Sequence, residues 1–196
     1  MYCYFKLDFF TFTQNQCMSI LKNTKTLLLL LVLSTLFSSC KDTIKINPAN
    51  KENKSVYYFI RHAEKDRSDP TNKNPSLTMQ GQERANKWAV YFKDKNIAAV
   101  YSTNYKRTQQ TALPIAKEQN LEIIGYIAKE LISENFIVNN KGKNIVIVGH
   151  SNTTPELVNR ILGEQKYEDI ADRENNNVFI VTLTKNKTTA KRVKVN

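Results

Sequence analysis

The sequence is poor in the residues that build metal sites and disulfides: two histidines and three cysteines among 196 residues. Cys3, Cys17 and Cys40 all lie in the first forty positions, so no disulfide or cysteine-based metal site can form within the later part of the chain. With two histidines and no late cysteine, a zinc site would need carboxylates to complete it, which argues against one. An arginine-rich stripe and the aromatic-interleaved signature of RNA-binding sheets are also missing. The formal charge of +11 is therefore not read as a nucleic-acid surface. It comes mainly from lysines spread along the chain, which suits a field that attracts anions. No internal repeat or low-complexity tract is evident. The strongest apolar run, residues 27–33, falls short of the ~20 residues that a membrane-spanning helix needs.

What remains is the composition of a globular protein, 41% hydrophobic and 24% charged, with room for one domain and its appendages. Residues 18–40, "MSILKNTKTLLLLLVLSTLFSSC", place Lys22 and Lys25 before the apolar run and small residues before Cys40. That is the grammar of an export signal. The ending "LFSSC" resembles a bacterial lipoprotein signal, with Phe37 where that pattern prefers leucine. The resemblance implies cleavage before Cys40, its lipidation, and a protein exported to the cell envelope whose membrane contact is the lipid anchor alone. Met18 is an alternative start. Removing residues 1–40 takes away three lysines and one aspartate, a net +2 out of +11, and leaves +9. Residues 41–54, polar and aperiodic, read as a tether to a domain spanning 55–196.

Within that domain, apolar runs at 56–60, 98–101, 121–124 and 145–148 alternate with helical patterns at 78–95, 105–119 and 129–138, and another helix follows Thr154. Strands with few polar residues alternating with helices indicate an α/β fold, a mostly parallel sheet with helices on both faces. The runs "VFIVTL" and "TTAKRVKV" add a C-terminal antiparallel hairpin at a sheet edge.

Both histidines end such runs, His62 in "VYYFIRHAEK" and His150 in "NIVIVGH". In open α/β sheets ligands bind beyond the carboxyl ends of the strands, so adjacent strands would bring the two imidazoles to one place. A third run, "AAVYS", precedes a helix for which Thr103 or Asn104 is the expected cap, with Lys106 and Arg107 in its first turn. Cations there oppose the helix dipole by ~0.3–1 kcal/mol, a conflict that a bound anion removes. After His150, Thr154 is the expected N-cap and Pro155 the first helical residue. Arg61, His62, Arg107 and His150 together suit a dianionic tetrahedral group. The chemistry implied is phosphoryl transfer, with a neutral imidazole as nucleophile and fixed positive charge on the equatorial oxygens.

"RHAEK", "LTMQGQERA", "VYSTNYKRTQQTA" and "IVIVGHS", in that order, resemble the histidine phosphatase superfamily, also called phosphoglycerate mutase-like, over residues 55–196. The resemblance implies that His62 is phosphorylated during turnover. It also implies that Arg61, Arg107 and His150 hold the phosphoryl group, with His150 assisting charge stabilisation, and that no metal or organic cofactor is used. The expected substrate is a small phosphomonoester or a phosphoprotein. Ala63 replaces the family's commonest glycine. Members of the family usually protonate the leaving group with a carboxylic acid, and here the candidates are Glu64 and Glu156, with Glu130 and Glu134 expected on a solvated helix. Ser151 excludes the branch that places an aspartate directly after the second histidine. "VGHSNTT" also resembles a hydrolase nucleophile elbow at Ser151, but no histidine follows that serine to complete a triad. The remaining alternative is an inactive module of the same fold that binds a phosphorylated ligand. Short intervals between the motifs favour hydrolysis over mutase activity, and the leaving group would meet the polar stretch "KDRSDPTNKNPS".

Overall fold

The structure is a computed structural model that describes residues 54–195; the expected leader, Cys40 and nearly all of the tether lie outside the described residues. Six strands form one sheet: β1 (Ser55–Arg61), β2 (Ile97–Ser102), β3 (Ile123–Gly125), β4 (Asn144–Gly149), β5 (Asn177–Leu183) and β6 (Thr188–Lys194). Their order is β3-β2-β4-β1-β5-β6. The first four run parallel, β5 pairs antiparallel with β1, and β6 closes the edge antiparallel to β5. This is the expected α/β class, including its C-terminal hairpin.

Every residue of β1 is buried, as a strand covered on both faces requires. Its alternate side chains enter different cores. Val56, Tyr58 and Ile60 pack with Trp88 and Phe92 of helix α1 (Met79–Phe92) and Ile115 of helix α2 (Lys106–Glu118). Tyr57 and Phe59 point the other way, toward Phe136 of a short helix α4 (Glu134–Asn139) and Leu157 of helix α5 (Thr153–Leu162).

Several boundaries differ from expectation. The helix expected over 129–138 is two pieces, α3 (Ala128–Leu131) and α4, because Ile132 leaves the helical region and Ser133 caps a new start by accepting from Phe136 N. Tyr105, not Thr103 or Asn104, is the N-cap of α2, and it caps with no side-chain bond. α5 starts two residues earlier than expected: Asn152 is its N-cap, while Thr154 is buried with its hydroxyl toward Ile60 O. β3 is short and half-exposed, an edge strand of the sheet.

Candidate active site

β1 and β4 are adjacent and parallel, with Arg61 opposite Gly149, so the residue after each strand is a histidine at the same height. The His62 amide donates to Gly149 O at 3.0 Å. The imidazole centroids stand 5.6 Å apart, edge to face. β2, the next strand, pairs Ser102 with Val148 and so brings Thr103 and the start of α2 beside them. A cavity of about 610 Å3 opens there, lined by Arg61, His62, Arg107 and His150 among others.

His62 is almost fully enclosed, 3% exposed. Its Nδ1 lies 2.7 Å from Ala63 O. A carbonyl only accepts, so Nδ1 carries the proton and Nε2 keeps its lone pair. Burial, together with the neighbouring Arg61 and Arg107 charges, pushes the His62 pKa down to about 3, so the ring is neutral at physiological pH. The segment is clamped from behind: Ala63 N donates to Thr111 Oγ1 at 2.9 Å, and Asn175 Nδ2 donates to His62 O at 2.7 Å.

His150 has the opposite tautomer. Arg107 Nη2, which can only donate, lies 3.4 Å from its Nδ1, and its Nε2 lies 3.0 Å from Thr103 Oγ1. Thr103 in turn donates to Thr108 Oγ1, whose proton goes to Thr103 O or Tyr105 O. Burial first, then Arg107 and Arg61, lower the His150 pKa to about 4. Arg107 stacks 4.5 Å over the Tyr105 ring and leaves Nε and Nη1 buried without a partner among the described residues. Unpaired buried charged donors cost about 1–3 kcal/mol or more, and an anion in the cavity would supply the missing acceptors.

Arg61 is placed differently from a free phosphate clamp. Its Nη1 donates to Ala171 O and Asp172 O at 2.9 Å each, and Nη2 meets the Asp172 carboxylate at 3.4 Å. Only Nε is left, buried and unpaired among the described residues. The 170–175 loop is thereby tied to both histidine-bearing segments, since Ile170 N also donates to Ser151 O.

None of the carboxylates named from the sequence lines this cavity. Glu64 turns away and accepts from Arg84 Nε of α1 at 2.7 Å, and it borders a neighbouring cavity of about 390 Å3. Glu156 is exposed on α5 and borders another cavity. Glu130 and Glu134 are exposed on α3 and α4. The carboxylate that does line the cavity is Asp172, which sequence reasoning missed, along with Lys65, Thr103, Tyr105 and Tyr126. Asp172 is held between Arg61 and Arg67, and hydrogen bonding from Arg67 keeps its pKa below the ordinary carboxylate range. No local pattern marked Asp172, whereas Thr103 lay in view as the residue after a third apolar run and an expected cap of the next helix.

Residues 57–134 match the histidine phosphatase superfamily, branch 1. That match takes in His62 and Arg107 and stops short of His150. No curated protein matches the sequence. Among solved structures, the protein histidine phosphatase SixA complexed with tungstate aligns with a TM-score of 0.56 at 16% identity, covering 71% of this chain and 96% of that one. A phosphoglycerate mutase from Bacillus anthracis gives 0.56 at 14% identity, covering 72% and 93%. A mutant phosphoserine phosphatase from Entamoeba histolytica, in complex with phosphoserine, gives 0.52 at 16% identity, covering 69% and 94%. The fold is phosphoglycerate mutase-like.

Proposed function

We propose that the protein is a phosphatase of the histidine phosphatase superfamily that hydrolyses a phosphomonoester, or a phosphoprotein, through phospho-His62. The observation that carries this reading is the pinned His62 tautomer, which leaves Nε2 unprotonated on a residue that lines the same cavity as Arg107, whose Nε and Nη1 have no partner among the described residues. In the first step Nε2 attacks phosphorus and the leaving oxygen departs; in the second, water attacks the phosphohistidine and phosphate is released. Arg107 Nε and Nη1 bind the equatorial oxygens, Arg61 adds Nε and its charge, and His150 gains a proton affinity as the dianion arrives. The absence of Glu64 and Glu156 from the cavity lining favours one second reading, an inactive module that binds a phosphorylated ligand.

Full-chain protein incubated with 4-nitrophenyl phosphate separates the two. Turnover that is vanadate-sensitive, lost in His62→Ala and reduced by roughly 10²-fold or more in His150→Ala supports the phosphatase. No vanadate-sensitive turnover from about pH 5 to 8 turns the reading to the binding module. Full activity in His62→Ala would end the covalent mechanism.

Export and lipidation at Cys40 belong to the proposal as a separate part, resting on residues 18–40 alone. Palmitate labelling that disappears in Cys40→Ala supports it, and labelling that persists overturns it.

A further inference from the structure

A phosphoryl transfer to His62 leaves an oxygen that needs a proton, and the sequence-named carboxylates do not reach the cavity. Glu64 accepts from Arg84 through Oε1 and borders the neighbouring cavity, Glu156 borders a separate cavity, and Asp172 is held as an anion by two arginines. Tyr126 lines the cavity, but its hydroxyl already donates to Val148 O at 3.2 Å, and burial raises its pKa far above the ordinary tyrosine range. Lys65 is the remaining cation with a transferable proton on the wall that His62 occupies. Three residues past His62, its backbone is fixed by an antiparallel bridge to Leu77, and Asp66 N donates to Ser76 O at 2.8 Å. Among the described residues its ammonium forms no salt bridge or side-chain hydrogen bond, although Arg67 beside it is paired with Asp172. Lys65 also lines the neighbouring cavity that holds Glu64 and Arg173, so it stands where the two cavities meet.

We propose that the Lys65 ammonium is the proton donor to the leaving group, a catalytic role that rests on the phosphatase reading above. When the bond from phosphorus to the leaving oxygen breaks and the bond to His62 Nε2 forms, the ammonium proton passes to that oxygen. The products are an alcohol, a neutral Lys65 amine and a phosphoimidazolium that retains its Nδ1 proton on Ala63 O. In the second step the amine takes a proton from the attacking water, and hydrogen phosphate leaves as neutral His62 and the ammonium are restored. Charge and protons balance in both steps. Desolvation and the charges of Arg67 and Arg107 lower the Lys65 pKa, which makes the ammonium a better acid than a free lysine.

The test compares leaving groups. 4-Nitrophenolate departs without help, whereas an alkoxide does not, so loss of a proton donor falls on alkyl phosphates. In full-chain Lys65→Met, kcat/KM for ethyl phosphate is expected to fall on the order of 10²-fold or more, and for 4-nitrophenyl phosphate by about tenfold or less. Lys65→Arg keeps the charge but holds its proton too tightly to donate it, so it should recover the nitrophenyl loss and leave the ethyl loss in place. The alkaline limb of the wild-type ethyl phosphate profile should disappear in Lys65→Met. Equal losses on both substrates, recovery of ethyl phosphate hydrolysis by Lys65→Arg, or a leaving-group dependence that appears in Tyr105→Phe instead would each overturn the assignment. Such outcomes leave the phosphatase reading intact as long as 4-nitrophenyl phosphate hydrolysis needs His62. If wild type hydrolyses neither substrate, the phosphatase reading fails and the Lys65 assignment fails with it.

Discussion

His62 and His150 are two rings of the same type held in opposite tautomers by different neighbours, a carbonyl at Ala63 and a guanidinium at Arg107. Both are kept neutral by burial, with pKa values of about 3 and about 4 against an ordinary 6.5. The unfolded chain therefore takes up protons on these rings below about pH 6.5, while the folded chain does not until about pH 4 and then 3. Their contribution is a loss of stability as pH falls through that window, and none above it. Thermal unfolding followed from pH 7 to 4 should show a falling midpoint, with a shallower fall in His62→Ala than in wild type; an identical slope would mean that His62 is not the buried neutral ring described. A bound phosphate dianion should flatten the slope as well, because it favours the protonated His150 in the folded state. The sequence made these two residues conspicuous through scarcity and placement, and the structure brings them together with Arg107. It could not reveal the tautomers, because the Ala63 carbonyl and Thr103 act through distances that only the folded backbone sets.

At the scale of elements, β1 and β4 were legible because each is an unbroken apolar run closed by a histidine, and the parallel pairing follows from strands that share an end. The 170–175 loop was not legible, since it lacks periodicity and is held by Arg61, Ser151 and His62 from distant parts of the chain. The placement of Glu64 outside the cavity lining was not legible because the docking of α1 lay hidden: Arg84, twenty residues on, reaches back to pair with it. That docking is tight. Thr78 N and Oγ1 both donate to Glu64 O, Thr78 Oγ1 accepts from Gly81 N, and a Cβ on Gly81 would overlap the Glu64 carbonyl. Gly81→Ala must therefore push α1 away from the segment after β1 that carries His62 and Glu64. We expect a loss of about 1–3 kcal/mol of stability, read as a lower unfolding midpoint, together with lower kcat/KM. Gly125→Ala is the matched control, since a Cβ there meets nothing within 4 Å. Equal midpoints for the two variants would show that α1 can shift without disturbing the His62 segment.

For the molecule as a whole, 29 basic against 18 acidic side chains make a positive field, and the cavity concentrates it. Among the described residues, Arg61, Lys65 and Arg107 line that cavity against one carboxylate, Asp172. The basic excess was plain in the composition, but its purpose was not, because lysines spread along a sequence acquire a common direction only once the fold gathers them. A phosphate dianion approaching from outside feels this field over a distance set by salt, about 30 Å at 0.01 M and about 8 Å at 0.15 M. In the proposed bound state it would contact Arg107 directly, too close for ions to intervene. Encounter should thus depend on ionic strength and the chemical step should not. For a dianionic aryl phosphate, kcat/KM is expected to fall severalfold between those two salt concentrations while kcat stays constant. Substituting an aryl phosphate that carries an added cationic group should weaken the salt dependence, because its net attraction to the basic surface is smaller. A kcat/KM that ignores salt would assign the +11 charge to some surface other than the approach to this cavity, and a fall in kcat itself would mean that screening reaches the bound state.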